Sequence, residues 1–229
     1  MSQAGLVARL AWRELWISFR MLALLVAFIG VGAVVVLVPA SPAAMLERAA
    51  IGLGVATVVT GAVTAWSVAD ERVSGRTGWL VSRSVSRGTY VLGWFGALIA
   101  ISVAGLVAAG FLSWMAVASG LAGPEPAELA AGVAAVGAEV AAATALGLLA
   151  AGVARPLRAA LLAALACAAV GAAPLVLPSA ATLLPVAVLA QVAAPGSILD
   201  DALRSAGLAL LVTSVVLVLA RLAMERVEL

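Results

Sequence analysis

Of the 229 residues, 65% are hydrophobic and only 10% charged, and the mean hydropathy is +1.22. A soluble domain is about 45–50% apolar and about 25% charged, so a soluble globular enzyme, a disordered chain and a disulfide scaffold are excluded. The chain has no His and one Cys, Cys167, and all 13 basic residues are Arg. It therefore offers no His-based metal, haem or acid–base chemistry, no intrachain disulfide and no thiolate cage.

Apolar tracts of roughly 18 or more residues with few charges can cross a bilayer, and charges and prolines divide the sequence into six of them. The expected fold is all-α integral membrane, a single transmembrane domain over 1–229. Residues 1–20 come first, an expected interfacial helix. At about 100° per residue, Arg9, Arg13 and Arg20 share one face, and Ala8, Trp12, Leu15, Phe19 and Leu22 fall on another. Basic residues opposite large apolar ones suit a helix lying in the membrane surface. A cleaved signal peptide is not expected. Its apolar core would be about 7–15 residues long behind a short basic stretch, whereas here it follows twenty residues that include Trp12, Glu14 and Trp16.

Span 1 is expected over 21–38, ended by Pro39, Ser41 and Pro42, and span 2 over 49–69. The charged loop Asp70–Arg87 follows, then span 3 over 88–118. Pro124, Glu125, Pro126 and Glu128 mark a turn before span 4 (129–154), and Arg155–Arg158 a tight turn before span 5 (159–177). The uncharged tract 159–199 is long enough for two spans, but Pro174, Pro178, Pro185 and Pro195 each remove a helical hydrogen bond and argue against a second clean one, so 178–201 reads as a broken, partly buried segment on the outer side. Span 6 is expected over 205–220. With six spans, Arg9, Arg13, Arg20, Arg72, Arg76, Arg83, Arg87, Arg155, Arg158, Arg221 and Arg226 lie on one side, and only Arg48 and Arg204 on the other. Positive charge stays in the cytoplasm, which places both termini there.

The loop Asp70–Arg87 holds six of the chain's 24 charges, and Trp79, Leu80, Val81 and Val85 give it an apolar side. A plain connection needs neither. A solvated hairpin whose Arg residues set topology is one reading; a docking element for a cytoplasmic partner is the other. Inside the membrane, Thr57, Thr60, Thr64 and Ser67 share a face of span 2 near Gly52, Gly54 and Gly61. Such a face suits close helix packing or the lining of a pathway. Glu139 is the ionisable residue placed well inside a span, and a carboxylate there points to function by default.

In its loop the sequence resembles ATP-binding-cassette (ABC) exporter permeases of type 2. Their first cytoplasmic loop carries an acidic residue, Gly-Thr, then a leucine-rich turn ending in Pro-Val-Ser-Arg. Glu71, Gly75, Leu80, Ser82, Val85, Ser86 and Arg87 match in register. Arg76 stands where Thr is usual, Gly78 where an acidic residue is common and Ser84 where Pro is common. The order of elements along the whole chain is similar as well. The resemblance implies a cytoplasmic coupling helix between spans 2 and 3, with Glu71, Gly75, Trp79, Leu80, Val81, Arg83, Val85 and Arg87 forming the ATPase-coupling loop. It implies a multi-pass permease in a bacterial inner membrane, paired with a second copy or a sister permease and driven by a separate ABC ATPase subunit. It also raises Thr57, Thr60, Thr64 and Ser67 as candidate pathway lining, to which Glu139 is added as the intramembrane carboxylate. No catalytic or metal-binding residue and no cofactor is expected in this chain. It has neither a Gly-rich phosphate loop nor a Lys, so ATP and Mg²⁺ would belong to the partner. No nucleic-acid partner is expected.

Two rival functions stand beside this one. A self-contained secondary transporter or channel would use ionisable residues and matched broken spans, of which Glu139 is the one candidate. An integral-membrane enzyme would need a carboxylate pair, a His or paired cysteines.

Overall fold

The computed structural model describes residues 2–38, 40–75, 85–118, 126–190 and 198–226, and among these all regular structure is helical. The helices are α1 (Gln3–Ile17), α2 (Arg20–Leu37), α3 (Pro42–Val73), α4 (Arg87–Ala118), α5 (Pro126–Val153), α6 (Pro156–Gly171), α7 (Ala173–Val176), α8 (Pro185–Ala190) and α9 (Ile198–Glu225). A 3-10 turn, Pro178–Thr182, separates α7 from α8. Among the described residues five helices are long and apolar enough to cross a membrane: Arg20–Leu37, Ala44–Val73, Arg87–Met115, Ala130–Val153 and Leu199–Glu225.

Local chemistry sets several boundaries. Ser2 caps α1, its hydroxyl accepting from Gly5 N at 3.2 Å. Ser41 precedes Pro42 at the start of α3, the pairing of a polar cap and a first-turn proline that favours helix entry. Ser86 Oγ accepts from Thr89 N at 3.1 Å where α4 begins. Asp200 and Asp201 occupy the first turn of α9, where negative charge suits the helix dipole.

α5 lies at the centre, with α9 packed along it and α3 on another side. α3 also packs on α6, α2 on α4, and α1 on α4. Two apolar clusters fill the bundle. One, with Leu15, Leu24, Val68, Tyr90, Trp94 and Leu148, lies toward the end that carries most charges. The other, with Phe28, Leu46, Leu53, Leu106, Val136 and Val140, lies toward the opposite, far end. Without water to drive association, helices in lipid rely on small residues for close packing. At Gly147 of α5 a Cβ would stand 2.6 Å from Gly61 O and 2.7 Å from Thr64 Cβ of α3; only glycine permits that crossing. Leu161, Leu165, Leu211, Val215 and Leu222 on the outer faces of α6 and α9 are exposed.

Three expectations change. The N-terminal helix does not run to residue 20: it ends at Ile17, and Phe19 turns the chain with φ at 57°. The face of α1 that packs inward is Val7, Ala11 and Leu15, while Trp12 and Phe19 are exposed. Second, α3 is 32 residues long, about 48 Å at 1.5 Å per residue, against a hydrocarbon core of about 30 Å. It carries Glu47 and Arg48 in its first turns and Asp70, Glu71 and Arg72 in its last, so the charged segment begins as helix rather than loop. A charge at the end of an over-long helix need not terminate it. Third, the expected fifth span over 159–177 is a 16-residue helix, α6, that stops at Gly171, followed by the short α7. Pro174 stands in that short helix, and proline cannot continue the hydrogen-bond ladder.

Candidate functional site

Successive helical residues point about 100° apart, so Asp70, Glu71 and Arg72 at the end of α3 face three different neighbours. Asp70 Oδ2 accepts from Arg20 Nη2 at 2.7 Å, which ties α3 to the start of α2. Glu71 is buried, and its Oε2 accepts from Tyr90 Oη at 2.6 Å and from Trp94 Nε1 at 2.7 Å. Both donors belong to α4, one turn apart. Arg72 Nη2 donates to Ala154 O at 2.7 Å, just beyond α5, where carbonyls have no intrahelical partner. Three adjacent side chains thus fasten three separate helices to α3.

The next residues turn the chain. Ser74 N donates to Asp70 O at 2.9 Å, and Gly75 follows with φ at 78°. A residue of positive φ just past a helix end is usually glycine, since a side chain there is strained. This gives a physical reason for Gly75. On the return side Val85 is buried in the core. Arg87 Nη1 donates to Glu225 O at the end of α9, and Glu225 also pairs with Arg221 at 3.0 Å. Both stems of the loop are therefore anchored, one to α2, α4 and α5, the other to α9. Trp79, Leu80, Val81 and Arg83, with Ser82 between them, lie outside the described residues, as does the expected coupling helix.

The other candidates sit elsewhere. Thr57, Thr60, Thr64 and Ser67 are buried within the bundle. Thr57, Thr60 and Ser67 each donate to the carbonyl four residues back on α3. Their face meets α5 and α6, as the Gly61 and Gly147 contacts show, so in this structure it serves helix packing. Glu139 lies on α5 toward the far end, where its Oε2 accepts from Val186 N of α8 at 3.0 Å. It stands in the wall of a cavity of about 500 Å³. Among the described residues no group of three or more His, Cys, Asp or Glu stands together as a metal site would require.

Tyr90 and Trp94 escaped the sequence reading. Their signal was present: two aromatics with polar tips at i and i+4 near the start of a span. A buried aromatic of this kind seeks a hydrogen-bond partner, and only the fold shows that the partner is Glu71.

Comparison with models of known families and with curated proteins found no match. Fold and site together define a chain that is helical throughout its described regular structure and whose five long apolar helices are compatible with a multi-pass membrane protein.

Proposed function

We propose that the chain is the permease subunit of an ABC-type export complex, with six spans and both termini in the cytoplasm of a bacterial inner membrane. Two such subunits, identical or sister, enclose the substrate pathway, and a separate ATPase supplies the energy. Charge placement supports the orientation, and α6 with α7 supplies the remaining crossing. α1 lies at the membrane surface, with Trp12 and Trp16 toward lipid. The supporting observation is the anchoring of the loop: its stems hold α2, α4, α5 and α9 through Asp70, Glu71, Arg72 and Arg87. A partner that pulls on residues 76–84 then acts on all five long helices at once. Trp79, Leu80 and Val81 are the apolar anchors and Arg83 a rim contact, because desolvated central anchors carry most binding energy.

Co-expression with the candidate ATPase and purification through a tag on this chain tests the reading. Retention of the ATPase, and ATP hydrolysis by the complex but not by the permease alone, is the expected result. Glu139 inside a cavity favours one alternative, a self-contained secondary transporter, since intramembrane carboxylates serve ion coupling. Gradient-driven transport by the purified chain alone in liposomes would establish that alternative.

A further inference from the structure

At the far end, α3, α5, α6, α7 and α8 line the half-open cavity of about 500 Å³, within the range of about 300–1,000 Å³ typical of small-molecule sites. Its wall is mostly aliphatic, with Ile51 and Val55 from α3, Leu175 from α7, and Leu184 just before α8. Among the described residues its two ionisable oxygen-bearing side chains are both acidic, Glu139 and the exposed Glu47, and no basic residue lines it. Glu139 makes its single hydrogen bond through Oε2, to Val186 N. Among the described residues its other oxygen, Oε1, has no hydrogen bond, and the side chain lines the cavity wall.

We infer that this cavity is a binding site for a lipophilic organic monocation. An apolar body fills the aliphatic volume, and its positive centre stands beside the Glu139 carboxylate. Charge decides the class. A carboxylate in an apolar wall lacks the solvation it would have in water, and an opposite charge nearby favours its ionised form. An anion of the same shape would be repelled by Glu139 and Glu47, and a neutral body would leave the carboxylate unpaired. A small metal ion would find one carboxylate in a space far too large for it. Binding here does not depend on the ATPase reading, and it is measured without any partner.

The test is isothermal titration calorimetry on the purified full chain in detergent, with protein-free micelles as the blank. The probes are tetraphenylphosphonium and, in a separate titration, tetraphenylborate, which match in shape and differ in charge. Saturable binding of the phosphonium and none of the borate is expected. Glu139→Gln keeps an oxygen acceptor for Val186 N but removes the charge, and should lower phosphonium affinity roughly tenfold or more. Gly54→Phe fills the cavity instead. A Cβ at Gly54 meets Val186 at an ordinary 3.7 Å, so the fold tolerates the start of the new side chain, and binding should be lost. Size-exclusion profiles matching the parent chain establish that each variant is folded. Equal affinity of folded Glu139→Gln, equal binding of the borate, or no saturable phosphonium binding by the parent chain overturns the assignment.

Discussion

Two carboxylates, Glu71 and Glu139, mark opposite ends of the bundle and live under opposite conditions. Glu71 is buried among side chains that reach it from α4, and its neighbours in sequence bind α2 and α5. Glu139 holds one backbone N–H and borders an open apolar volume. A carboxylate that holds two aromatic donors in the core is a joint: removing it takes away their shared acceptor. A carboxylate with a free oxygen beside a cavity is a receptor: removing its charge changes what binds, while the fold stays intact. The same functional group thus yields stiffness at one end and selectivity at the other, according to how many donors surround it.

This contrast can be broken by substitution, with stability read from denaturant unfolding in mixed micelles. Glu71→Ala should have the largest effect. It removes the acceptor of the Tyr90 hydroxyl and the Trp94 N–H in the core, and hydrogen bonds to charged groups contribute about 1.5–3 kcal/mol each. A loss of about 3 kcal/mol is expected, with partial recovery in Glu71→Gln, which keeps an oxygen acceptor. Arg72→Ala should come next, at about 2 kcal/mol, because one charge-assisted bond to a helix-end carbonyl goes. Gly75→Ala should cost about 1 kcal/mol, the strain of a side chain at positive φ. The Arg20–Asp70 pair is partly exposed, and such pairs contribute about 1 kcal/mol or less, so Arg20→Ala should lie below these three. Glu139→Gln should be smallest, within about 0.5 kcal/mol of the parent, even as it alters cation binding. If Glu139→Gln destabilised the chain as much as Glu71→Ala, the distinction between joint and receptor would fail.

Much of the helical layout was legible in the sequence, because apolar length and charge placement are local properties. The expected spans over 21–38 and 88–118 agree with α2 and α4 to within a residue at each end. Extents were less legible where a helix outruns the membrane. α3 continues from Ala69 to Val73 because Asp70, Glu71 and Arg72 find partners on other helices, and no local pattern announces a partner. The break at Phe19 was hidden for a related reason: the periodicity of Arg9, Arg13 and Arg20 continues across it, whereas the backbone turns. Of the site, the sequence marked Glu71, Gly75, Val85, Arg87 and Glu139 as positions of interest. It did not reveal Tyr90 and Trp94 as the donors to Glu71, nor the cavity beside Glu139. The cavity exists because the proline-broken segment folds back so that Val186 meets α5, a contact 47 residues away in the chain.

The central claim is that the segment between the two anchored stems receives the force of an ATPase. Its most direct test is the amount of co-expressed ATPase retained by tagged chains carrying Leu80→Asp or Arg83→Ala. Each is compared with the parent chain at equal membrane expression. An aspartate at an apolar anchor would place an unpaired charge in the interface, whereas a rim arginine contributes less. The account predicts that Leu80→Asp loses the ATPase almost entirely and Arg83→Ala only in part. Full retention by Leu80→Asp, with transport intact, would contradict it.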